Sequence, residues 1–250
     1  MTTPQIIWLD EAGSTNSVMR EMTADGSCHA GLVIAAHRQT AGRGQRGNSW
    51  ESEPEKNLTF SMLLCPQALH ARDQFTLSEC VALGVAEAIE SLMPENAPEI
   101  AVKWPNDIYA GDRKICGILI ENSLSGCMIG KSIAGIGINV NQEVFRSDAP
   151  NPISIIHLTG NSTSTKRLLE DVCTRILVRC AALDAGENAR IHSDYLARLW
   201  RRQGEHTYRE PGGKIFLASI ASIAPTGHIT LRNTDGMHVT YAFKEVEAVL

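Results

Sequence analysis

Residues 42 to 47, Gly42-Arg43-Gly44-Gln45-Arg46-Gly47, satisfy the GxGxxG spacing of a dinucleotide-binding turn, and the ten residues after them decide which folds stay open. A strand candidate, 31 to 37, lies just upstream. A dinucleotide site needs the third glycine to open a helix whose N-terminus holds the pyrophosphate, with an acidic residue about 20 positions further on. Here the chain runs on through NSWESEPEKN, with Pro54 and several turn formers, to a strand-like NLTFSMLL. Without a helix after the glycines there is no crossover unit. A doubly wound parallel sheet and a nicotinamide-dependent dehydrogenase are both disfavoured. Arg43 and Arg46 among the glycines read instead as a basic loop that closes over something anionic.

The remaining pattern is mixed α/β. A strand over 5 to 9 precedes Ser14-Thr15-Asn16, where a hydroxyl can cap a helix carrying Val18 and Met22. Strands are expected over 31 to 37 and 57 to 64. Thr76 with Glu79 suggests a capping box opening a helix to about Met93, with Val81, Val85, Ala86, Ile89 and Leu92 in helical period. Strand-like runs at 100 to 104, 114 to 121 and 127 to 140 are separated by turns at 111 to 114 and 122 to 126, the spacing of antiparallel hairpins. Two amphipathic helices come next, one over 166 to 183 and one carrying Ile191, Tyr195, Leu196 and Leu199. From about 205 short β-rich runs alternate with turn residues, and Asp235-Gly236 between strands is a strong hairpin signal. The expected architecture is α/β (α+β): a mixed, largely antiparallel sheet backed by helices over 1 to 204, and a small C-terminal β-barrel over 205 to 250.

A chain of 250 residues can bury a substantial core. Its formal charge of −5 is not the broad basic field of a protein that binds DNA or an anionic membrane. The seven cysteines show neither a CxxC pair nor metal-ligand spacing, and Cys80, Cys116, Cys173 and Cys180 lie in apolar stretches, as in a reducing compartment. The start has no positive n-region and becomes acidic within eleven residues, unlike a signal peptide. No apolar run approaches the roughly 18 residues of a membrane span. A cytoplasmic protein without nucleic-acid or membrane partners is expected.

Four islands carry residue types that suit chemistry: Ser14-Thr15-Asn16; Gln39 with the glycine-arginine loop and Trp50; KWPND (103 to 107) followed by Lys114; and GIGIN, ending at Asn139. Each also has a plain structural reading. Ser14 or Thr15 caps a helix, KWPND is a strand ending in a turn, Lys114 is a solvated hairpin residue, and Trp50 is core.

Taken together the islands resemble the biotin–protein ligase family in its short form, without an N-terminal DNA-binding domain. The resemblance runs through STN at 14 to 16, QTAGRGQRGNSW at 39 to 50, NLTFSMLL, KWPNDIY at 103 to 109, RKICGILIE at 113 to 121 and GIGINVN at 135 to 141. It implies ATP-dependent activation of biotin to biotinyl-5'-AMP and transfer to a lysine of a biotin carboxyl carrier protein, on a catalytic domain followed by an SH3-like barrel. By the same resemblance, Lys114, Arg43 and Asp107 stand at the reacting centre. Biotin is held by Ser14, Thr15, Asn16 and Gln39 together with Arg43, Gly44, Gln45, Lys114 and Gly117. The nucleotide is contacted by Arg43, Arg46, Trp50, Lys103, Asn106, Lys114 and Asn139. ATP is then the co-substrate, and Mg2+ enters on its phosphates with no protein ligand assigned. Gln45 departs from members with a GRGRRG loop, which place an arginine there.

Two rivals remain. A lipoate ligase or octanoyl transferase is similar in fold, but no RRxxGGGxVxHD-type signature is present. A ligand-sensing DNA-binding repressor, as in long-form relatives, is disfavoured by the negative charge and by a chain that starts at Met1 with no helix-turn-helix before it. The oligomeric state, monomer or homodimer, is open.

Overall fold

A computed structural model describes residues 3–24, 29–44, 49–147 and 149–250. Gln45 and Arg46, both expected at the site, lie outside the described residues.

The first sheet contains β1 (Gln5–Ala12), β2 (Leu32–Gln39), β3 (Leu58–Leu64), β4 (Ile100–Lys103), β5 (Asp107–Ala110), β6 (Arg113–Ser125) and β7 (Met128–Ile138). It is seven-stranded, in the order β1-β2-β3-β7-β6-β5-β4. β1 runs parallel to β2, and the other neighbouring pairs are antiparallel. The sheet is therefore mixed and largely antiparallel, as the turn spacing suggested.

β3 and β7 lie at its centre, and the period of two in β7 explains the GIGIN pattern. Ile136 and Ile138 point to one face and join the main apolar core with Phe60, Met62 and residues of α2 (Phe75–Glu90) and α4 (Thr165–Asp184). Gly135 and Gly137 point to the other face. There α1 (Thr15–Met22) packs on β2, β3 and β7, burying Met19 against Ile34, Leu63 and Ile133. One face is thus closed by helices, and the other stays open beside α1 because glycines leave room.

α5 (Asn188–Ala197) packs against α2 and α4. Leu199, expected on that helix, lies beyond it. Val102 donates its N–H to Arg198 O (2.8 Å), and Trp200 returns one to Val102 O (2.9 Å), so the chain leaves the helix to bridge β4.

The C-terminal strands β8 (His206–Arg209), β9 (Ile215–Ile223), β10 (Ile229–Asn233), β11 (His238–Tyr241) and β12 (Glu247–Ala248) form a five-stranded antiparallel sheet in the order β11-β10-β9-β8-β12. The β10–β11 hairpin closes at Asp235-Gly236. Gly236 has φ 81°, which a side chain would strain, and it donates to Asn233 O at 3.0 Å. Ala218, Ile229 and Leu231 of this sheet share the apolar core of the first.

Several local expectations are corrected. Thr76 and Glu79 do not form a capping box: α2 starts at Phe75, Gln74 is the N-cap, and no side chain caps it. Glu79 is buried in the helix instead and pairs with His192 at 2.7 Å, so a tertiary partner claimed the carboxylate. The helix stops at Glu90, short of Met93. β6 runs on to Ser125, and its turn falls at 126 to 127, not 122 to 126. Asn122 is kept in the strand by Ser132, which donates to its side-chain oxygen at 2.7 Å from across the ladder. β5 and the short α3 (Ile155–Thr159) were not expected.

Candidate active site

The open face of the first sheet and the C-terminal sheet enclose a cleft of about 1090 Å3. Its floor is a glycine trough. Gly117 on β6 pairs with Gly137 on β7, while Gly135 lies between Leu119 on β6 and Ser61 on β3. A Cβ at Gly137 would stand 2.4 Å from the Trp50 ring, and one at Gly135 would stand 2.2 Å from Asn16 Oδ1. Any side chain at either position would displace the residue above it.

The end of the trough beside α1 is neutral and densely hydrogen-bonded. Ser14 occupies the N-cap position of α1, yet its side chain makes no capping hydrogen bond. The backbone N–H of Thr15 donates to Gln39 Oε1 at 3.0 Å, tying the helix start to the end of β2. Ser61, fully buried on β3, lies 2.7 Å from Thr15 Oγ1 and 2.5 Å from Asn16 Oδ1. Asn16 Nδ2 donates to Glu121 Oε2 at 2.8 Å, and Arg20 pairs with the other oxygen of Glu121 at 2.6 Å. Ser61, Glu121 and Arg20 escaped the sequence reading. A hydroxyl two residues from Thr59 in an apolar strand, and an acid four residues past Gly117 on the same strand face, were the available signals.

The opposite end is built on KWPND, and each residue there has its own anchor. Lys103 Nζ bonds Tyr109 OH at 3.0 Å and lies over the Trp200 ring at 5.5 Å. Trp104 donates to Gly227 O in the turn between β9 and β10 at 2.9 Å, and Tyr195 of α5 donates to Pro105 O at 2.8 Å. Asn106 donates to Ile118 O at 3.2 Å. These anchors present Asp107 at the start of β5, where it meets Lys114 at 2.7 Å; both side chains keep about 30% exposure, at 28% and 31%. The Asn139 amide donates to Ile153 O at 3.0 Å.

Arg43 and Ser49 form an antiparallel bridge, and Trp50 N–H reaches Gly42 O at 3.0 Å, pinching the glycine-arginine segment at its base. Arg43 Nη2 donates to Ser17 Oγ at 3.0 Å on α1. The Trp50 indole lies on Gly117 and Gly137, with Lys114 Nζ 5.8 Å from its ring centre. Its Nε1 is buried with no hydrogen-bond partner among the described residues. The segment leads into Glu51. Burial would raise the carboxyl of Glu51, but hydrogen bonds from Ser147, the Arg146 backbone and Gln142 outweigh it and hold it below its ordinary value.

The structure therefore brings Ser14, Thr15, Asn16, Gln39, Arg43 and Gly44 to one cleft with Trp50, Lys103, Asn106, Asp107, Lys114, Gly117 and Asn139. Cys116, two residues from Lys114, is fully buried on the other face. Burial and the Asp107 charge push its thiol well up, so it supplies no thiolate nucleophile there. The arrangement suits a ligand with a neutral, hydrogen-bonding head and an anionic reacting end.

Comparison with known proteins agrees. The sequence model of the Biotin/lipoate A/B protein ligase family matches residues 11–141. A biotin–[acetyl-CoA-carboxylase] ligase of Paracoccus denitrificans is 31% identical over 212 residues, covering 82% of this chain and 86% of that protein. One of Mycobacterium tuberculosis is 27% identical over 225 residues, covering 88% and 80%. Among solved structures, a biotin protein ligase from Aquifex aeolicus in complex with biotin and ATP superposes with a TM-score of 0.77 at 25% identity, covering 98% of each chain.

Proposed function

The chain belongs to the Biotin/lipoate A/B protein ligase family, and we propose that it is a biotin–protein ligase that activates biotin with ATP and transfers it to a carrier lysine. In the first step a biotin carboxylate oxygen bonds to the α-phosphorus of ATP, pyrophosphate leaves, and biotinyl-5'-AMP forms. In the second the lysine amine attacks the acyl carbon and loses a proton, AMP leaves, and an amide forms. One observation carries this reading: a single glycine-floored cleft has a neutral hydrogen-bonding end and, across the trough, the Lys114–Asp107 pair.

The ureido ring offers a carbonyl and two N–H groups, and a buried site that fails to match them incurs a desolvation penalty. Ser14, Thr15, Asn16 and Gln39 are that match. The valeryl chain runs along the trough past Gly117 and Gly44. At the far end two anions, carboxylate and phosphate, must approach each other, and cations fixed where charge develops lower the barrier. Lys114 fills that role in place, and Arg43 joins it by giving up its contact with Ser17 on α1, each charged hydrogen bond being worth about 1.5–3 kcal/mol. Asp107 orients Lys114 and stands ready for the acceptor amine's proton. The nucleotide lies toward Trp50, Lys103, Asn106 and Asn139, with Gln45 and Arg46 completing the loop. A ligand on the trough floor needs the space that the Trp50 indole fills, so the indole must lift.

Among the described residues no group of three or more His, Cys, Asp or Glu is placed to hold a metal ion. Mg2+ on the nucleotide phosphates would supply charge neutralisation at the reacting end, with no protein ligand assigned. The acceptor we propose is a biotin carboxyl carrier protein or domain. We further propose a division into a catalytic domain over 1 to 204 and a barrel domain over 205 to 250, and a cytoplasmic location. No described helix is long and apolar enough to cross a membrane, and the six described cysteines are unpaired.

The test is pyrophosphate release with biotin, lipoate and octanoate in parallel, followed by transfer to an apo carrier domain. Biotin-dependent release and carrier labelling are expected. Release with lipoate or octanoate but not biotin would sink the reading.

A further inference from the structure

We propose that Tyr195 on α5 is a positioning residue for the charged end of the cleft: its hydroxyl fixes the Pro105 carbonyl, and with it the place of Asp107 against Lys114. This rests on reading that pair as the reacting end. The two partners are held unequally. Lys114 is gripped on both sides of its backbone, its N–H donating to Asn151 O at 2.8 Å and its O accepting from Ile153 N–H at 2.9 Å, and it pairs with Tyr109 across the ladder. Asp107 is the first residue of a four-residue strand. Its one ladder partner among the described residues is Lys103, because the β5–β6 register shifts between Ile108 and Tyr109 and sets Ile108 against Cys116. A strand-end residue held on one side depends on the turn that leads into it.

That turn is residues 104 to 106, between β4 and β5. Trp104 and Asn106 reach out through their side chains. Tyr195 takes hold of the main chain itself, at 2.8 Å and two residues before Asp107. Proline has no N–H, so its carbonyl is the hydrogen-bonding group by which Pro105 can be held. That carbonyl shares a peptide plane with the Asn106 nitrogen and Cα, so fixing the oxygen fixes the approach to Asp107. Tyr195 can act as a strut because it is itself immobile. It is fully buried, and its ring packs edge-on against Phe75 of α2 at 5.5 Å. One turn earlier on α5, His192 pairs with the buried Glu79 of α2 at 2.7 Å, which seats α5 on α2 without involving the turn. Burial, and after it the charge of Glu79, pushes the Tyr195 hydroxyl well above its ordinary value, so it remains a donor at assay pH. Tyr195 does not line the cleft, whereas Pro105, Asn106 and Asp107 do, so it acts through the turn.

The experiment is single-turnover, biotin-dependent pyrophosphate release at saturating biotin and ATP, beside equilibrium biotin binding, on the full chain well below its thermal midpoint. Tyr195→Phe removes one oxygen and keeps the ring. It should slow release about tenfold and leave biotin affinity within about twofold, because the α1 end is untouched while a misplacement of about 1 Å at a reacting group costs on the order of a hundredfold. Ile176→Val trims a buried side chain of α4 that packs on Gly84 of α2. It loses comparable stability away from the turn and should leave the release rate within about twofold. Asp107→Ala separates the roles further: once Asp107 is gone, adding Tyr195→Phe should slow release by less than about twofold, since residues acting through one another are not additive. If Tyr195→Phe does not fold, His192→Ala at its partly exposed position takes its place, with a fall of about threefold expected. An unchanged rate, equal slowing by Ile176→Val, or a full further tenfold loss on top of Asp107→Ala overturns the inference, while an active wild type leaves the substrate reading standing. A folded wild-type protein that releases no pyrophosphate with biotin overturns both.

Discussion

The two ends of the cleft are built on opposite plans. At the α1 end polar side chains satisfy one another in a closed chain ending on Glu121, and the groups are neutral where they meet the cleft. At the KWPND end backbone carbonyls of Ile118 and Ile153 hold Asn106 and Asn139, and a partly exposed ion pair is left facing the opening. The first plan suits recognition, because a closed network has one low-energy arrangement and penalises a ligand of the wrong polarity. The second suits neutralisation of charge that appears during reaction, for which fixed cations are needed more than a matched surface.

Breaking the charged end should have the largest effect. Lys114→Ala is expected to lower the rate of biotin-dependent pyrophosphate release by about a hundredfold or more, with biotin affinity changed less than about threefold. Single-turnover kinetics beside equilibrium binding checks this. A parallel fall in both would mean the ends do not divide the work.

The neutral end is broken by Gly135→Ala, whose Cβ would stand 2.2 Å from Asn16 Oδ1. Moving Asn16 disturbs the chain, and biotin affinity should fall roughly tenfold, consistent with overpacking costs of about 1–3 kcal/mol. The KM for ATP should stay unchanged; a rise in it would blur the comparison.

Trp50 lies between the ends, and Trp50→Phe sharpens the contrast. The indole N–H is buried without a partner among the described residues, a placement that costs about 1–3 kcal/mol. Removing it should leave the thermal midpoint without ligands equal or higher, while adenylate affinity falls a few-fold through the smaller stacking surface. A lower midpoint would show that the indole stabilises its own resting place.

The smallest effect concerns Glu51, at the base of the segment that carries Trp50. Its folded carboxyl lies below its ordinary value, so its contribution to stability is present above that value and is lost as pH falls through the folded one. Glu51→Gln should therefore reduce the acid-side slope of stability between neutral pH and about pH 3. Denaturant titrations across that range would show it, and unchanged slopes would remove Glu51 from the account.

Much of this was legible because it obeys local rules. Glycines at every second position of 135 to 137 had to share a strand face, and Asp235-Gly236 had to turn a hairpin. The absence of a helix after Gly47 removed the dinucleotide fold, and residues 52 to 57 indeed hold none. Thr76 and Glu79 misled for the opposite reason. Their spacing matched a cap, but His192 lies 113 positions from Glu79 and won its carboxylate.

Short-range chemistry along the chain was enough to dictate the largely antiparallel sheet, the glycine face of β7 and the set of residue types around one site, since strand period and turn preference act over a few residues. Long-range packing settled that β1 runs parallel to β2, that Trp50 rests on Gly117 and Gly137, and which partner each polar atom takes. Asn16 lies 45 residues from Ser61 and 105 from Glu121, and no local pattern links them. Their hydrogen bonds depend on burial and on the approach of α1 to β3 and β6, which exist only once the sheet has formed.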